Sequence, residues 1–171
     1  ARDEWLELAV HGADFLDQHC FDASDGRMWF HLDRDGDPIR KRRYAFSESF
    51  AAIAYGELAQ ATGNAKYADK AAKTFNEFIQ RNLNPTEEQR KYTETRPTRG
   101  IGFPMITIVT AQQLRDSIEF DDADAWIDRS IDSICRYHLK EDIECVMETV
   151  GADGQIMDHF DGRTLNPGHA I

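Results

Sequence analysis

The stretch Phe46-Ser47-Glu48-Ser49-Phe50-Ala51-Ala52-Ile53-Ala54-Tyr55-Gly56-Glu57-Leu58-Ala59-Gln60-Ala61-Thr62-Gly63-Asn64-Ala65 decides the fold. Its apolar positions recur at helical spacing and cover most of the circumference, which marks a helix buried on most sides. Gly63-Asn64 stops that helix, and Ala65 opens another with almost no loop. To about Arg81 the second helix carries one apolar stripe, Ala68, Ala71, Ala72, Phe75, Phe78 and Ile79. Opposite the stripe lie Lys66, Asp69, Lys70, Lys73, Asn76 and Glu77. An inner helix is therefore followed at once by an outer helix with one wet face.

The same alternation extends in both directions. Trp5 to His19 has a stripe of Trp5, Leu8, Ala9, Gly12, Ala13 and Leu16 and reads as an outer helix. Pro104 opens an inner helix through Met105, Ile106, Ile108, Val109, Ala111 and Leu114. Asp121 to about Leu139 is outer again, with its stripe at Ala123, Trp126, Ile127, Ile131, Ile134 and Cys135. Asn166 then suits an N-cap and Pro167 a first helical position, so a third inner helix begins there. Inner helices thus open near Phe46, Pro104 and Pro167, about sixty residues apart, a period that implies a stacked or closed array of helix pairs.

The connections from outer to inner helices are long. Met28 to Leu32 lies between the turns Asp25-Gly26 and Asp35-Gly36 and, with Pro38-Ile39, reads as a β-hairpin. Residues 82–99 read as a polar surface loop. Val146 to Val150, the turn Asp153-Gly154, and Ile156 to Phe160 read as a second hairpin. These connections gather at the N-termini of the inner helices, the mouth of an α/α barrel. The expectation is an all-α single domain over residues 1–171, with short β-hairpins in its connections.

Charge and cysteine usage narrow the function. A formal net charge of −11 argues against nucleic acid and anionic membrane surfaces. The one basic run, Arg40-Lys41-Arg42-Arg43, reads as a solvated loop. No apolar run reaches membrane-spanning length. Cys20, Cys135 and Cys145 are odd in number and scattered, which suits reduced thiols in the cytoplasm. His11, His19, His31, His138 and His159 have no mutual spacing of a metal site, and no cofactor is expected. His138 reads as a surface residue.

His169 stands out because it falls in the first turn of the third inner helix. The positive end of the helix dipole there favours neutral, basic imidazole, the form that abstracts protons. The plainer alternative is a hydrogen bond to a neighbouring loop. At the start of the first inner helix, Ser47 is equally a cap or a ligand, and Glu48 a dipole partner or a ligand. Glu148 on the second hairpin faces the mouth if Met147 packs beneath it. Arg163 and Asn166 could bind the hydroxyls of a ligand, although capping alone explains Asn166. Asp158, Asp161 and Glu148 could serve glycoside hydrolysis, but no motif singles out a pair.

Several stretches resemble the N-acylglucosamine 2-epimerase (renin-binding protein) family. They are Trp5…Gly12-Ala13-Asp14-Phe15-Leu16, Asp25-Gly26-Arg27-Met28-Trp29-Phe30, Leu32-Asp33-Arg34-Asp35-Gly36 and Phe46-Ser47-Glu48-Ser49-Phe50-Ala51-Ala52. Arg96-Pro97-Thr98 leading to Pro104-Met105-Ile106, and Leu165-Asn166-Pro167-Gly168-His169-Ala170-Ile171, complete the set. The resemblance implies an (α/α)6 barrel, a homodimer, and an enzyme that inverts C2 of a free reducing sugar, interconverting N-acylglucosamine and N-acylmannosamine. Two histidines do the proton work in that family, and Gly168-His169 matches the start of its Gly-His-x-x-Glu motif. That motif's Glu, the second His and the family's substrate-binding Arg have no match within these residues. Ile106 stands where disaccharide 2-epimerases carry a further His, which favours the N-acylglucosamine branch. The alternatives are an aldose–ketose isomerase, a cellobiose or mannobiose 2-epimerase, or a catalytically silent sugar- or protein-binding toroid. A closed ring needs six inner helices, so the 171 residues are expected to be an interior portion of a longer chain, inactive alone.

Overall fold

The computed structural model describes residues 2–86 and 95–163. The third inner helix expected from Asn166 lies outside the described residues. Among the described residues five α-helices dominate: α1 (Asp3–Phe15), α2 (Ser47–Thr62), α3 (Ala65–Leu83), α4 (Gly102–Ile118) and α5 (Ala123–Ser133). Helices α1 and α5 each run on into a π-helical turn, Leu16–Cys20 and Ile134–His138.

Helices α2 and α3 form a tight antiparallel hairpin. Gly63 closes α2 at φ 66°, a left-handed conformation that costs glycine nothing, and the Asn64 side chain then accepts from the Lys66 N–H at 3.0 Å. Helices α4 and α5 repeat the arrangement, with Glu119 as the left-handed C-cap at φ 53°. The two hairpins meet through α2 and α4. A Cβ on Gly56 would stand 2.6 Å from Ser117 Oγ and 2.9 Å from Leu114 Cδ2, so the missing side chain is what lets the helices touch.

The core forms where the stripes converge. Ala51, Ala52, Tyr55 and Leu58 of α2 meet Ala71, Phe75, Phe78 and Ile79 of α3, and Ala111 and Leu114 of α4 close the cluster. Phe75 is fully buried, and its ring meets the edges of Phe120 at 5.4 Å and Trp126 at 6.5 Å, joining α3 to the start of α5. Helix α1 adds Ala13 to this core and leaves Trp5 and Leu8 of its expected buried stripe 61% and 69% exposed. Phe50 of α2 and Val109 of α4 are likewise more than half exposed, at 66% and 53%.

Among the described residues, six short strands occupy the connections. Strands β1 (His31–Leu32) and β2 (Pro38–Arg40) form the hairpin read from the Asp-Gly turns, with a register shift between His31 and Leu32. The second expected hairpin is not formed. The turn around Gly154 exists, with the Gly151 N–H donating to the Gln155 carbonyl at 2.9 Å, but residues 156–160 add no strand. Instead β3 (Thr98–Gly100), inside the expected surface loop, pairs antiparallel with β6 (Thr149–Gly151), some fifty residues on. Between them in sequence, β4 (Leu139–Lys140) and β5 (Cys145–Val146) make a small hairpin of their own. The buried face of α5 also differs from the expected stripe: Ser130 and His138 point inward, whereas Ile131 and Cys135 are exposed.

Truncating Phe75 removes the aromatic joint between the two hairpins. Phe75→Ala should cost about 3–5 kcal/mol, read in urea unfolding as a lower midpoint with unchanged slope.

Candidate functional site

The inner helices start at one end of the molecule. Phe46, which precedes α2, lies 3.9 Å from where a Cβ on Gly102 would sit, and Gly102 opens α4. Rings of Phe46 and Phe78 are 6.2 Å apart and those of Phe78 and Phe103 5.5 Å, so an aromatic chain binds this end together. The β1–β2 hairpin and the β3–β6 ladder both sit beside it.

Glu48 fastens the hairpin there. Its side chain is 2% exposed, and Oε1 accepts from the Met28 N–H at 2.9 Å. A carboxylate in the first turn of α2 also faces the positive end of the helix dipole, which offsets the cost of burial. Glu48 is thus a structural acceptor more than a ligand. Between the hairpin and the start of α2 runs a groove of about 640 Å³, walled by Trp29, Phe30, Leu32, Tyr44, Phe46 and Phe50. Ser47 and Arg42 are its polar lining.

Of the sequence-derived candidates, the structure places Ser47 in this groove, half-buried. It is not a cap: Phe46 holds the N-cap position without a side-chain bond, while Ser49 Oγ donates to the Phe46 carbonyl at 2.8 Å. Glu148 is half-buried between β5 and β6, and its carbonyl accepts from the Ile101 N–H at 2.9 Å, directly ahead of α4. Met147, next to it, is buried. Ser47 and Glu148 therefore flank the starts of the two neighbouring inner helices. Arg163 is exposed on a 3-10 turn (Phe160–Arg163), ion-paired with Asp158. His169 and Asn166 lie outside the described residues. No group of three metal-ligating side chains occurs among the described residues.

Two expectations are corrected. The basic run is only in part a solvated loop: Arg40 and Arg43 are exposed, but Lys41 and Arg42 are half-buried. Lys41 sits between Asp22 (2.5 Å) and Asp25 (3.1 Å) and over the Trp29 ring at 4.4 Å, while Arg42 lies 4.2 Å over Phe30. Lys41 and the Ser24 hydroxyl hold Asp22 well below the usual carboxylate range. Nor is His138 a surface residue: it is 1% exposed, and its Nδ1–H donates to the Met147 carbonyl at 2.7 Å. The Met147 N–H returns a bond to the His138 carbonyl at 2.9 Å, so this imidazole sets the strand that carries Glu148. Burial pushes the His138 pKa down against the smaller opposing pull of that carbonyl. The aromatic run Met28-Trp29-Phe30, read only as strand, is the signal that could have pointed to the groove.

A second cavity, about 320 Å³, opens between the π-turn after α1 and α3. Its charges answer one another: Asp17 accepts from Lys70 and from the Tyr55 hydroxyl, and Arg81 pairs with Glu77. Burial raises the Tyr55 pKa far above its ordinary value, aided by Asp17; for Asp17, burial is outweighed by Lys70 and Tyr55 and the pKa falls.

Paired inner and outer helices, with a hairpin and a two-stranded ladder at the inner N-termini beside an aromatic groove, define a protein built of α-helical hairpins. A structure of a sugar epimerase from a ruminal bacterium superposes with a TM-score of 0.71 at 16% identity, covering 91% of this chain and 43% of its own. The sequence profile of the N-acylglucosamine 2-epimerase (GlcNAc 2-epimerase) family matches residues 1–171, and the chain belongs to that family. The N-acylglucosamine 2-epimerase of Bos taurus is 29% identical over 177 residues, 99% of this chain and 41% of its own length. That of Mus musculus is 28% identical over 178 residues, 99% and 42%. The chain thus spans about two-fifths of these relatives.

His138 titrates in its own pH window. Its folded pKa lies below the ordinary 6.5, so between the two values the unfolded chain binds the extra proton. Stability should be at its plateau above pH 6.5 and fall as pH drops below it. In His138→Gln, urea midpoints across pH 5–8 should lose that slope, leaving only the carboxylate transition that begins nearer Asp17's ordinary 3.8.

Proposed function

We propose that this chain is part of a sugar 2-epimerase that interconverts N-acylglucosamine and N-acylmannosamine. The observation that carries the reading is the family match over residues 1–171, which includes the terminal Gly168-His169 motif. In the same reading residues 1–171 form a portion of a single (α/α)6 barrel, whose further helices cover the exposed faces of Phe50, Val109, Trp5 and Leu8. The share of the relatives' length spanned supports this, as does the apolar character of those faces. The protein acts as a homodimer in the cytoplasm; the family resemblance supports the first, and free Cys20, Cys135 and Cys145 the second.

The chemistry sets what the site must do. The proton on C2 becomes acidic only once the ring has opened and the aldehyde stands beside it. A base removes it, an enediolate forms, and a proton returns to the opposite face. Inversion needs an acid/base group on each side and polar groups on the enediolate oxygens. His169 is one of the two proton-transfer groups, because Gly168-His169 matches the start of the family's Gly-His-x-x-Glu motif. Ser47, Glu148, Arg163 and Asn166 meet the sugar hydroxyls.

Incubation of the intact protein with N-acetylmannosamine, mannose and cellobiose in deuterated water separates the readings. Deuterium at C2 together with epimer supports the proposal. A ketose product would instead establish an isomerase, and exchange on cellobiose alone a disaccharide epimerase. Sugar binding without exchange would establish a silent toroid. His169→Gln and His169→Ala should lower C2 exchange at least ~100-fold with the fold intact by circular dichroism. Near-normal exchange in either variant would remove His169 from the mechanism.

A further inference from the structure

We infer that His138 is a positioning residue for sugar binding: it holds the Met147–Glu148 peptide in the orientation that presents Glu148 beside the start of α4, and so sets affinity without touching the ligand. This deepens the reading above and rests on it for the ligand being a sugar and for Glu148 meeting its hydroxyls.

An antiparallel ladder ordinarily fixes a strand through backbone N–H and carbonyl groups on both chains. Strand β5 has that support at Cys145 and Val146, which pair with Lys140 and Leu139, and β6 begins again at Thr149. Met147 and Glu148 fall in the gap between the two strands. Both polar groups of the Met147 backbone are taken by one residue. The Met147 N–H donates to the His138 carbonyl at 2.9 Å, and the Met147 carbonyl accepts from His138 Nδ1–H at 2.7 Å. That carbonyl belongs to the peptide that leads into Glu148. On its far side the Glu148 carbonyl accepts from the Ile101 N–H at 2.9 Å. A side chain, where a ladder would use backbone, therefore sets the plane of the Met147–Glu148 peptide.

The geometry allows His138 to act through Glu148 and not by contact. His138 is 1% exposed and bonded to Met147, itself buried, so its ring is closed off from a ligand. Glu148 is half-buried, and its backbone leads by short steps to the inner helix starts. Its carbonyl meets Ile101; Gly102 follows, against the Phe46 ring; and Phe46 precedes Ser47. A peptide plane turned at Met147 would swing the Glu148 carboxylate relative to those starts. The carboxylate lies within electrostatic reach of the imidazole, on which Arg99 of β3 and Lys140 of β4 also act. A bond from a hydroxyl to a carboxylate needs oxygens about 2.5–3.0 Å apart, so a shift of roughly 1 Å forfeits it.

The test is a double-mutant cycle on the intact protein, with affinity for N-acetylglucosamine read by calorimetry. Glu148→Gln should weaken binding about 10- to 100-fold, the scale of a hydrogen bond to a charged group, and His138→Leu about 10-fold. The double variant should bind no more weakly than Glu148→Gln alone, because His138 acts only through Glu148. His138→Asn carries its amide nitrogen on the same γ-carbon that bears Nδ1, so it can still donate to the Met147 carbonyl and should bind within about 2-fold of wild type. Should His138→Leu not fold, His138→Gln takes its place: its amide sits one carbon further out, and the same loss is expected. Equal weakening by the His138 substitution in both Glu148 backgrounds, no weakening at all, or His138→Asn as weak as His138→Leu would overturn the inference, as would unchanged affinity in Glu148→Gln. Wild type that binds no sugar would overturn it together with the reading it rests on. Deuterium exchange at C2 in wild type is scored separately. Non-additive losses without exchange remove the epimerase reading alone, and exchange with additive losses removes the His138 assignment alone.

Discussion

One buried carboxylate joins the helical scaffold to the connection that walls the aromatic groove. Glu48 lies in the first turn of α2 and accepts from the Met28 backbone, where the hairpin strands begin. Removing a carboxylate from water is costly unless hydrogen bonds and favourable dipoles replace the water, and the start of a helix supplies both. Fixing Met28 fixes Trp29 and Phe30 after it, and these rings are the shelf on which Lys41 and Arg42 rest. The groove therefore takes its shape from a bond made at a helix end, while the aromatic contacts fill it in.

Much of the scaffold was legible in the sequence because helix pairs announce themselves locally. The all-round apolar pattern of α2, the single stripe of α3 and the Gly63-Asn64 stop all act within a few residues, and the structure follows them closely. The β1–β2 hairpin was legible for the same reason, since its Asp-Gly turns lie between its strands. The β3–β6 ladder was not: Thr98 and Gly151 have no turn between them, and Thr98–Gly100 looked like the tail of a polar loop. His138 was misread because its helix ends in a π-helical turn, Ile134–His138, which changes the face that these last residues present. Lys41 and Arg42 were hidden in a run of four cations, and only the positions of Asp22, Asp25, Trp29 and Phe30 set them apart from exposed Arg40 and Arg43.

The two halves of the candidate site are built by different means. The side of Ser47 and Arg42 is stiffened by ion pairs and aromatic stacking within one hairpin. The side of Glu148 is stiffened by backbone pairing, with the imidazole of His138 bonded to Met147 behind it and Ile101 in front. Connections of this kind can change without disturbing the core that the packed helices form beneath them.

The long reach of the β3–β6 ladder bears on how the chain acquires its structure. The helical hairpins α2–α3 and α4–α5 close over a few residues and lose little chain entropy in doing so. Thr98 meets Gly151 only across the whole of α4 and α5, so the loop it closes is an order of magnitude longer. That closure is favourable once the two helices have folded back on each other and brought the ends together. The Glu148 side of the site is consequently assembled late, after the helices it serves, and is the first part that a partly folded chain would lack.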